Sequence, residues 1–577
     1  MVKRFLFWAA LLLAGGAWSL AWAQSTRPGW GAVPYADAAG TGVTFRVWAT
    51  TATQLTVFGS FNGWNSNSTP LVLEMPTNNG IWSADVPAAR AGDQYRFSIN
   101  QALVRRDPRA RRVVHSGDAP GIIHDPGAYE WSTREHLPPA PEELVLYELH
   151  IGTFNHPRPT PNQVGTFTQA SARLDHVAAL GFNAIQLMPV AEFAGNNSWG
   201  YNPIDPYAVE SAYGGPDAFK AFVDACHARS LAVILDTVHN HYGAGDDLQH
   251  SLWEFDGWRG FSGGGIYFAQ DPAKAETPWG PRPDFSRPQV RQYIRDNIRM
   301  WLEDFRVDGL RWDATLYIRQ TTNFTPIADG AALLRDINDW MAMEFPEKIR
   351  IAEDLTGDWL VTTPSTESGG LGFQSQWDRT FHEDVTRQIT NDATRDLGAV
   401  AAHMAWSGDV RRVVYTESHD EVGYLNEDEG AKRFPAEIAP GAPFGLLARK
   451  KSTLGAALAF TAPGIPMIMQ GQEMLENELF STTNGMDWAK TTNYPGMVRL
   501  YRDLAGLRRN RDGVTAGLAG EIATASVTNN GTLLLVRRGI RGQPGNDVFV
   551  VANFSPNQVA GYWIDFPAAN TWHVHFN

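Results

Sequence analysis

The sequence predicts an α/β fold: a (β/α)8 TIM barrel with an N-terminal β-sandwich module and a C-terminal antiparallel β-sandwich. Three observations carry the prediction. Short apolar strands alternate with helix-periodic stretches across 140–515, two-residue alternation with turn residues occupies both flanks, and polar residues gather where the predicted barrel strands end.

At 577 residues the chain exceeds one ordinary domain, which runs to about 100–200 residues. A formal charge of -14 and a pI near 5.5 argue against a nucleic-acid partner, which calls for a basic face. Residues 1–23 read as a signal peptide: Lys3 and Arg4, an apolar run from Phe5 to Leu13, then Ala21-Trp22-Ala23 before Gln24. This order implies a secreted or periplasmic protein with no membrane association after cleavage. An uncleaved anchor is the alternative, because apolar character continues to Ala23. Cys226 is the single cysteine, so no internal disulfide forms, and its neighbours Phe219, Phe222 and Val223 make it a core residue.

In the first flank, 38–130, the runs Val43–Trp48, Leu55–Phe58 and Gln94–Ile99 alternate between turn residues, as strands of a small sandwich do. The linker Leu137-Pro138-Pro139-Ala140-Pro141 follows. Barrel strands are predicted at Leu144–Leu149, Ala184–Met188, Leu231–Leu235, Val307–Trp312, Ile349–Ala352, Arg412–Tyr415 and Pro466–Met469. Counting Leu371–Gln376 brings them to eight. Apolar spacing of three and four predicts helices over Phe167–Leu180, Phe219–Ala228 and Pro288–Phe305, the last capped by Ser286. Alternation returns in the last flank, 521–577, in Thr532–Arg537 and Val548–Phe554.

Chemistry in such a barrel sits at the C-terminal ends of its strands. There the chain reads Asp236-Thr237-Val238-His239-Asn240-His241 after strand three, Arg311-Trp312-Asp313 after strand four, Glu353-Asp354 after strand five and Glu417-Ser418-His419-Asp420 after strand seven. Arg311 and Asp313 lie two apart on a strand and share a face. A guanidinium there keeps the carboxylate ionised, which a nucleophilic aspartate needs.

These four stretches resemble the signature regions of the α-amylase superfamily, glycoside hydrolase family 13. The resemblance implies that Asp313 is the nucleophile, Glu353 the general acid/base and Asp420 the third carboxylate that grips sugar hydroxyls. It also implies that Arg311, His241 and His419 surround the same sugar, that Tyr201 in Gly200-Tyr201-Asn202-Pro203 is a stacking platform, and that Asp236 is architectural. Trp199 and Trp312 are expected nearby. Asn240 matches a calcium ligand of many amylases; no cofactor is required, and calcium is the one candidate metal. Gly59-Ser60-Phe61-Asn62-Gly63-Trp64-Asn65 resembles the glycogen- and starch-binding module of branching and debranching enzymes, in which Trp64 would stack on sugar. A second stacking tryptophan of that module is replaced by Asn100-Gln101-Ala102-Leu103. The segment 242–285, rich in Gly and Trp, resembles the family's excursion after strand three, which forms one wall of the cleft.

Retention at a glycosidic bond needs an ionised carboxylate and a protonated one about 5–5.5 Å apart. Neighbouring barrel strands, spaced by about 4.8 Å, supply that separation. The resemblance implies an α-glucan as the partner. Hydrolysis of α-1,4 bonds is the leading expectation because the signal would place the enzyme outside the cell. Branching by transfer to form α-1,6 links is the alternative, and a non-catalytic glucan binder the third. No motif reports the oligomeric state.

Overall fold

The computed structural model describes residues 23–76, 79–134, 136–156, 163–407, 409–566, 569 and 571–576. Residues 1–22 of the expected signal therefore lie outside the described residues. Among those described, no helix is long and apolar enough to cross a membrane.

The amino-terminal unit is built from two antiparallel sheets. One contains Gly31–Asp37, Gly40–Trp48, Val72–Leu73 and Ile81–Val86; the other contains Leu55–Gly59, Gln94–Ile99, Leu103–Arg105 and Gly121–Ile122. Alternation points Phe45 of the first sheet at Tyr95 and Phe97 of the second, 5.2 and 6.5 Å away between ring centroids. Trp64, 43% exposed, rests edge-on against Phe58. The unit is fastened to the barrel at buried points. Arg106 Nε donates to Asp205 Oδ1 at 2.9 Å, and both side chains are shut off from solvent. Thr51 N and Thr50 Oγ1 donate to Asp256 Oδ2 at 2.9 and 3.0 Å.

Eight parallel strands close the barrel: Leu146–Leu149, Ala184–Leu187, Ala232–Thr237, Gly309–Trp312, Ile349–Ala352, Ser375–Trp377, Arg412–Val414 and Ile465–Met469. The sixth starts four residues later than Leu371–Gln376 suggests. Gly309 is required where strand four meets strand five, because a Cβ there would lie 2.7 Å from the Ile349 backbone carbonyl. Beneath strand four, Asp308 receives Val233 N at 2.8 Å and sits between His136 Nδ1, 3.1 Å away, and His227 Nε2, 2.8 Å away. Those imidazoles hold its carboxyl down to about 2 against the opposing effect of burial. This ties the linker to the barrel floor.

Three local expectations are corrected. Phe167–Leu180 is split into Phe167–Ser171 and Leu174–Ala179, where Ser171 Oγ bonds back to Phe167 O at 2.9 Å. Pro288–Glu303 is a helix, but Ser286 does not cap it: its hydroxyl and amide both turn to Asp284 Oδ1, and Arg287 occupies the cap position. Trp312 points away from the barrel axis and packs against His239 and Phe373, the opposite side from Arg311, as strand alternation requires. Cys226 is buried in the core.

After the barrel, Ile522–Thr528, Leu533–Ile540 and Gln543–Asn553 form an antiparallel three-stranded sheet. Arg538 Nη1 fastens it by donating to Thr461 O at 3.0 Å.

Candidate active site

Strand register builds the site. Trp312 pairs with Ala352, and the ladder continues past both ends, with Asp313 N donating to Thr237 O at 3.0 Å and Glu353 N to Trp312 O at 2.9 Å. Asp313 and Glu353 therefore stand side by side on neighbouring strands. Arg311 occupies the axis beneath them. Its Nη1 donates to Asp313 Oδ1 at 2.9 Å and to Asp236 Oδ1 and Oδ2 at 2.9 and 2.7 Å, while Nη2 lies 2.9 Å from Glu353 Oε2. Its guanidinium also lies 4.4 Å from the centre of the Trp377 ring, a buried face that favours the cation. One fully buried guanidinium thus spans three carboxyl groups.

The two reacting carboxyls differ in surroundings. Burial, joined by nearby Asp313 and Asp420 and opposed by Arg311, pushes Glu353 up to about 8. Both recorded partners of Glu353, Arg311 Nη2 and Ala314 N at 2.7 Å, meet Oε2. Asp313 is held at both oxygens: Arg311 at Oδ1, and Asn240 Nδ2 at Oδ2, 2.6 Å away. Asp236 is raised to about 7, chiefly by burial, and accepts the Tyr201 hydroxyl at 2.6 Å.

His241 sits beside the site, between Tyr201 and Asn240. Its Nε2 lies 2.7 Å from Tyr201 O and its Nδ1 is against Asn240 Oδ1, so both ring nitrogens are taken by protein. In a buried setting each polar ring atom needs a partner, and the result is a chain from Tyr201 through His241 and Asn240 to Asp313. Asn240 gives its nitrogen to Asp313 and its oxygen to His241. These commitments do not fit a calcium ligand, which would share the ion with about five or more other oxygens. Trp279 leans on His241 at 5.6 Å.

His419 and Asp420 complete the ring. His419 Nδ1 lies 2.7 Å from Glu148 Oε1, its backbone N donates to Glu148 Oε2 at 3.0 Å, and its Nε2 lies 3.4 Å from Asp420 Oδ1. Burial opposes the imidazolium, but Asp420 and Glu148 overcome it and lift His419 to about 10. Tyr201 stacks on that ring at 4.9 Å. Trp199 is buried behind it, edge-on at 5.8 Å, and Gly423 makes room, because a Cβ there would lie 2.2 Å from the indole. Glu148 is the residue that sequence reasoning missed. Its signal was a lone carboxylate inside the apolar run Val145-Leu146-Tyr147-Glu148-Leu149.

The arrangement can attack an acetal carbon with one carboxylate and protonate its leaving oxygen with another. Comparisons with known proteins bear on the family and the fold. The α-amylase catalytic domain matches residues 153–260, and carbohydrate-binding module 48, the isoamylase N-terminal domain, matches residues 30–110. A 1,4-alpha-glucan branching enzyme GlgB from Corynebacterium jeikeium is 30% identical over 93% of this chain and 76% of its own length. Its counterpart from Rhodospirillum rubrum is 27% identical over 93% and 74%. In structure, a type I pullulanase from Bacillus subtilis superposes with a TM-score of 0.71 at 21% identity, covering 92% of this chain and 80% of that one, a likeness of fold. With that identity to a curated relative sustained across module and barrel, the chain belongs to the α-amylase superfamily, glycoside hydrolase family 13.

Proposed function

We propose that this enzyme cleaves an α-1,4 bond of a glucan, holds the donor segment as an ester on Asp313, and passes it to a hydroxyl of a second chain, forming an α-1,6 branch. The observation that carries the reading is that relatives aligned over 93% of the chain are named 1,4-alpha-glucan branching enzymes. They support the branching alternative better than the leading hydrolytic expectation. Hydrolysis stays as the second reading on one observation, the basic, apolar and Ala-x-Ala order of residues 3–23, which supports export toward external polymer.

In the first step protonated Glu353 gives its proton to the leaving glycosidic oxygen while Asp313 attacks the anomeric carbon. The C1–O bond breaks and the ester forms. Arg311 and Asn240 hold both Asp313 oxygens in place, so little reorganisation is needed. In the second step Glu353, now a carboxylate, takes the proton of the incoming hydroxyl, and the Asp313 ester breaks. Asp420, beside the His419 imidazolium, is placed to hold ring hydroxyls. Because the carboxyls stand on adjacent strands, two inversions are expected. Proton NMR of fresh product should show the α anomer first, and an initial β signal would exclude the ester intermediate.

The raised Glu353 sets a pH limit. Its folded value of about 8 lies above the ordinary carboxyl range, so the protonated acid predominates below it and is lost above it. With unactivated glucan, kcat/KM should therefore fall about tenfold per pH unit above 8. With an aryl glycoside whose departure needs no proton, the limb should flatten. A basic limb identical for both substrates would remove Glu353 from the acid role.

Amylose incubated with the full chain separates the readings. Transfer predicts falling iodine colour and new α-1,6 signals with few net reducing ends; reducing ends rising without branch signals would assign hydrolysis.

A further inference from the structure

The loops after barrel strands seven and eight enclose a cleft of about 340 Å³ on the catalytic face, and the chemistry above uses none of its lining. One wall is Phe444 and Tyr494, half-buried rings that lie parallel within 10° at 5.1 Å. Asn477, Asn484 and Asn493 supply amides around it. Its cations are already paired: Lys490 binds Glu476 and lies 2.9 Å from Asn477 Oδ1, and Arg433 binds Glu417 at 2.8 Å. The wall nearest the catalytic centre is Phe480, stacked on Trp199 at 5.4 Å, and Trp199 in turn abuts His419. Phe480 also fixes the loop that follows Asp420, since its N donates to Val422 O and its O accepts from Tyr424 N, both at 2.8 Å.

Paired cations leave nothing for a phosphate to claim. Amides that both donate and accept, beside an apolar aromatic wall, suit a neutral polyol. The geometry points to this cleft as the seat of a second glucan chain, the acceptor. That role rests on the transfer reading; binding of glucan in the cleft does not. To act as acceptor, a chain seated there has to extend past Phe480 and Trp199, so that a C6 hydroxyl meets the sugar on Asp313. Its oxygen bonds to C1, the C1–Asp313 ester bond breaks, and the hydroxyl proton passes to Glu353. Competition with water then depends on cleft occupancy, because the ester is consumed by whichever hydroxyl arrives first.

Two measurements on the full chain test this. Maltoheptaose binding to Asp313→Asn protein, followed by calorimetry, should lose one site when Asn484→Trp is added to fill the cleft. Asn484→Ala with Asn493→Ala, which trims only exposed amides, should weaken that site about tenfold. In otherwise wild-type protein, each set should lower the ratio of α-1,6 links formed to bonds cleaved, again by about tenfold. Unchanged stoichiometry and affinity in both sets, or a ratio that holds while both rates fall together, overturns the proposal. Loss of the site in an enzyme that makes no branches at all would keep the cleft as a glucan site and discard the transfer reading.

Discussion

Asp313→Asn and Glu353→Gln are each expected to lower turnover on glucan by about four to six orders of magnitude with the fold intact, because nucleophile and acid act as one unit. Asparagine at 313 still offers an oxygen to Arg311 or Asn240, so the local hydrogen bonds have an acceptor; what is lost is the charge that attacks carbon. Glutamine at 353 keeps an acceptor for Ala314 N and loses only the proton. The two should part company on an activated aryl glycoside. There the glutamine variant recovers much of its first step and accumulates the ester, whereas the asparagine variant stays inactive. Circular dichroism fixes the fold, and near-normal turnover by either variant on glucan would overturn both roles.

Arg311→Met should be the most damaging single change to stability. Asp236, Asp313 and Glu353 would remain buried around a missing cation, and removing one partner of a buried ionic cluster costs about 3–5 kcal/mol. The sign with pH follows from the raised groups. Asp236 at about 7 and Glu353 at about 8 titrate above their unfolded values even with Arg311 present, and losing the cation raises them further. Their contribution to stability is fully present below the unfolded carboxyl range, near pH 4, and is lost as pH rises through the folded values. The variant's deficit should therefore be largest above pH 8 and narrow toward pH 4. Urea midpoints of variant and parent at pH 5 and pH 9 measure it, and a deficit independent of pH would show that packing, not charge, sets the cost.

Much of this site was legible because its parts are short and local. Arg311-Trp312-Asp313 reports its own geometry, since strand parity alone separates the inward pair from the outward tryptophan. The barrel strands are apolar runs bounded by turns, so seven of the predicted ones lie within a few residues of those in the structure. Strand six was harder, being a three-residue strand, Ser375–Trp377, with a polar residue at its centre. Glu148 could not be assigned a partner because barrel closure brings it to His419 across 271 residues. The use of both His241 nitrogens was equally hidden: it depends on where the Tyr201 carbonyl comes to rest, and no local pattern encodes that. The cleft proposed for the acceptor was hidden as well, because loops after two different strands, seven and eight, line it.

The buried Arg106–Asp205 pair also bears on how such a chain is assembled in evolution. A module attached by an exposed linker can be exchanged like a bead on a string, whereas this one supplies the cation that pairs with a carboxylate sealed inside its neighbour. Asp205 lies four residues beyond Tyr201, whose hydroxyl holds Asp236 under the catalytic arginine. A lineage that discarded or replaced the module would have to find a new cation at that position or rebuild Asp205 at the same time. Removing the module alone would leave Asp205 buried without its cation, so a module with no reacting group of its own is tied to the stability of the unit that carries the site.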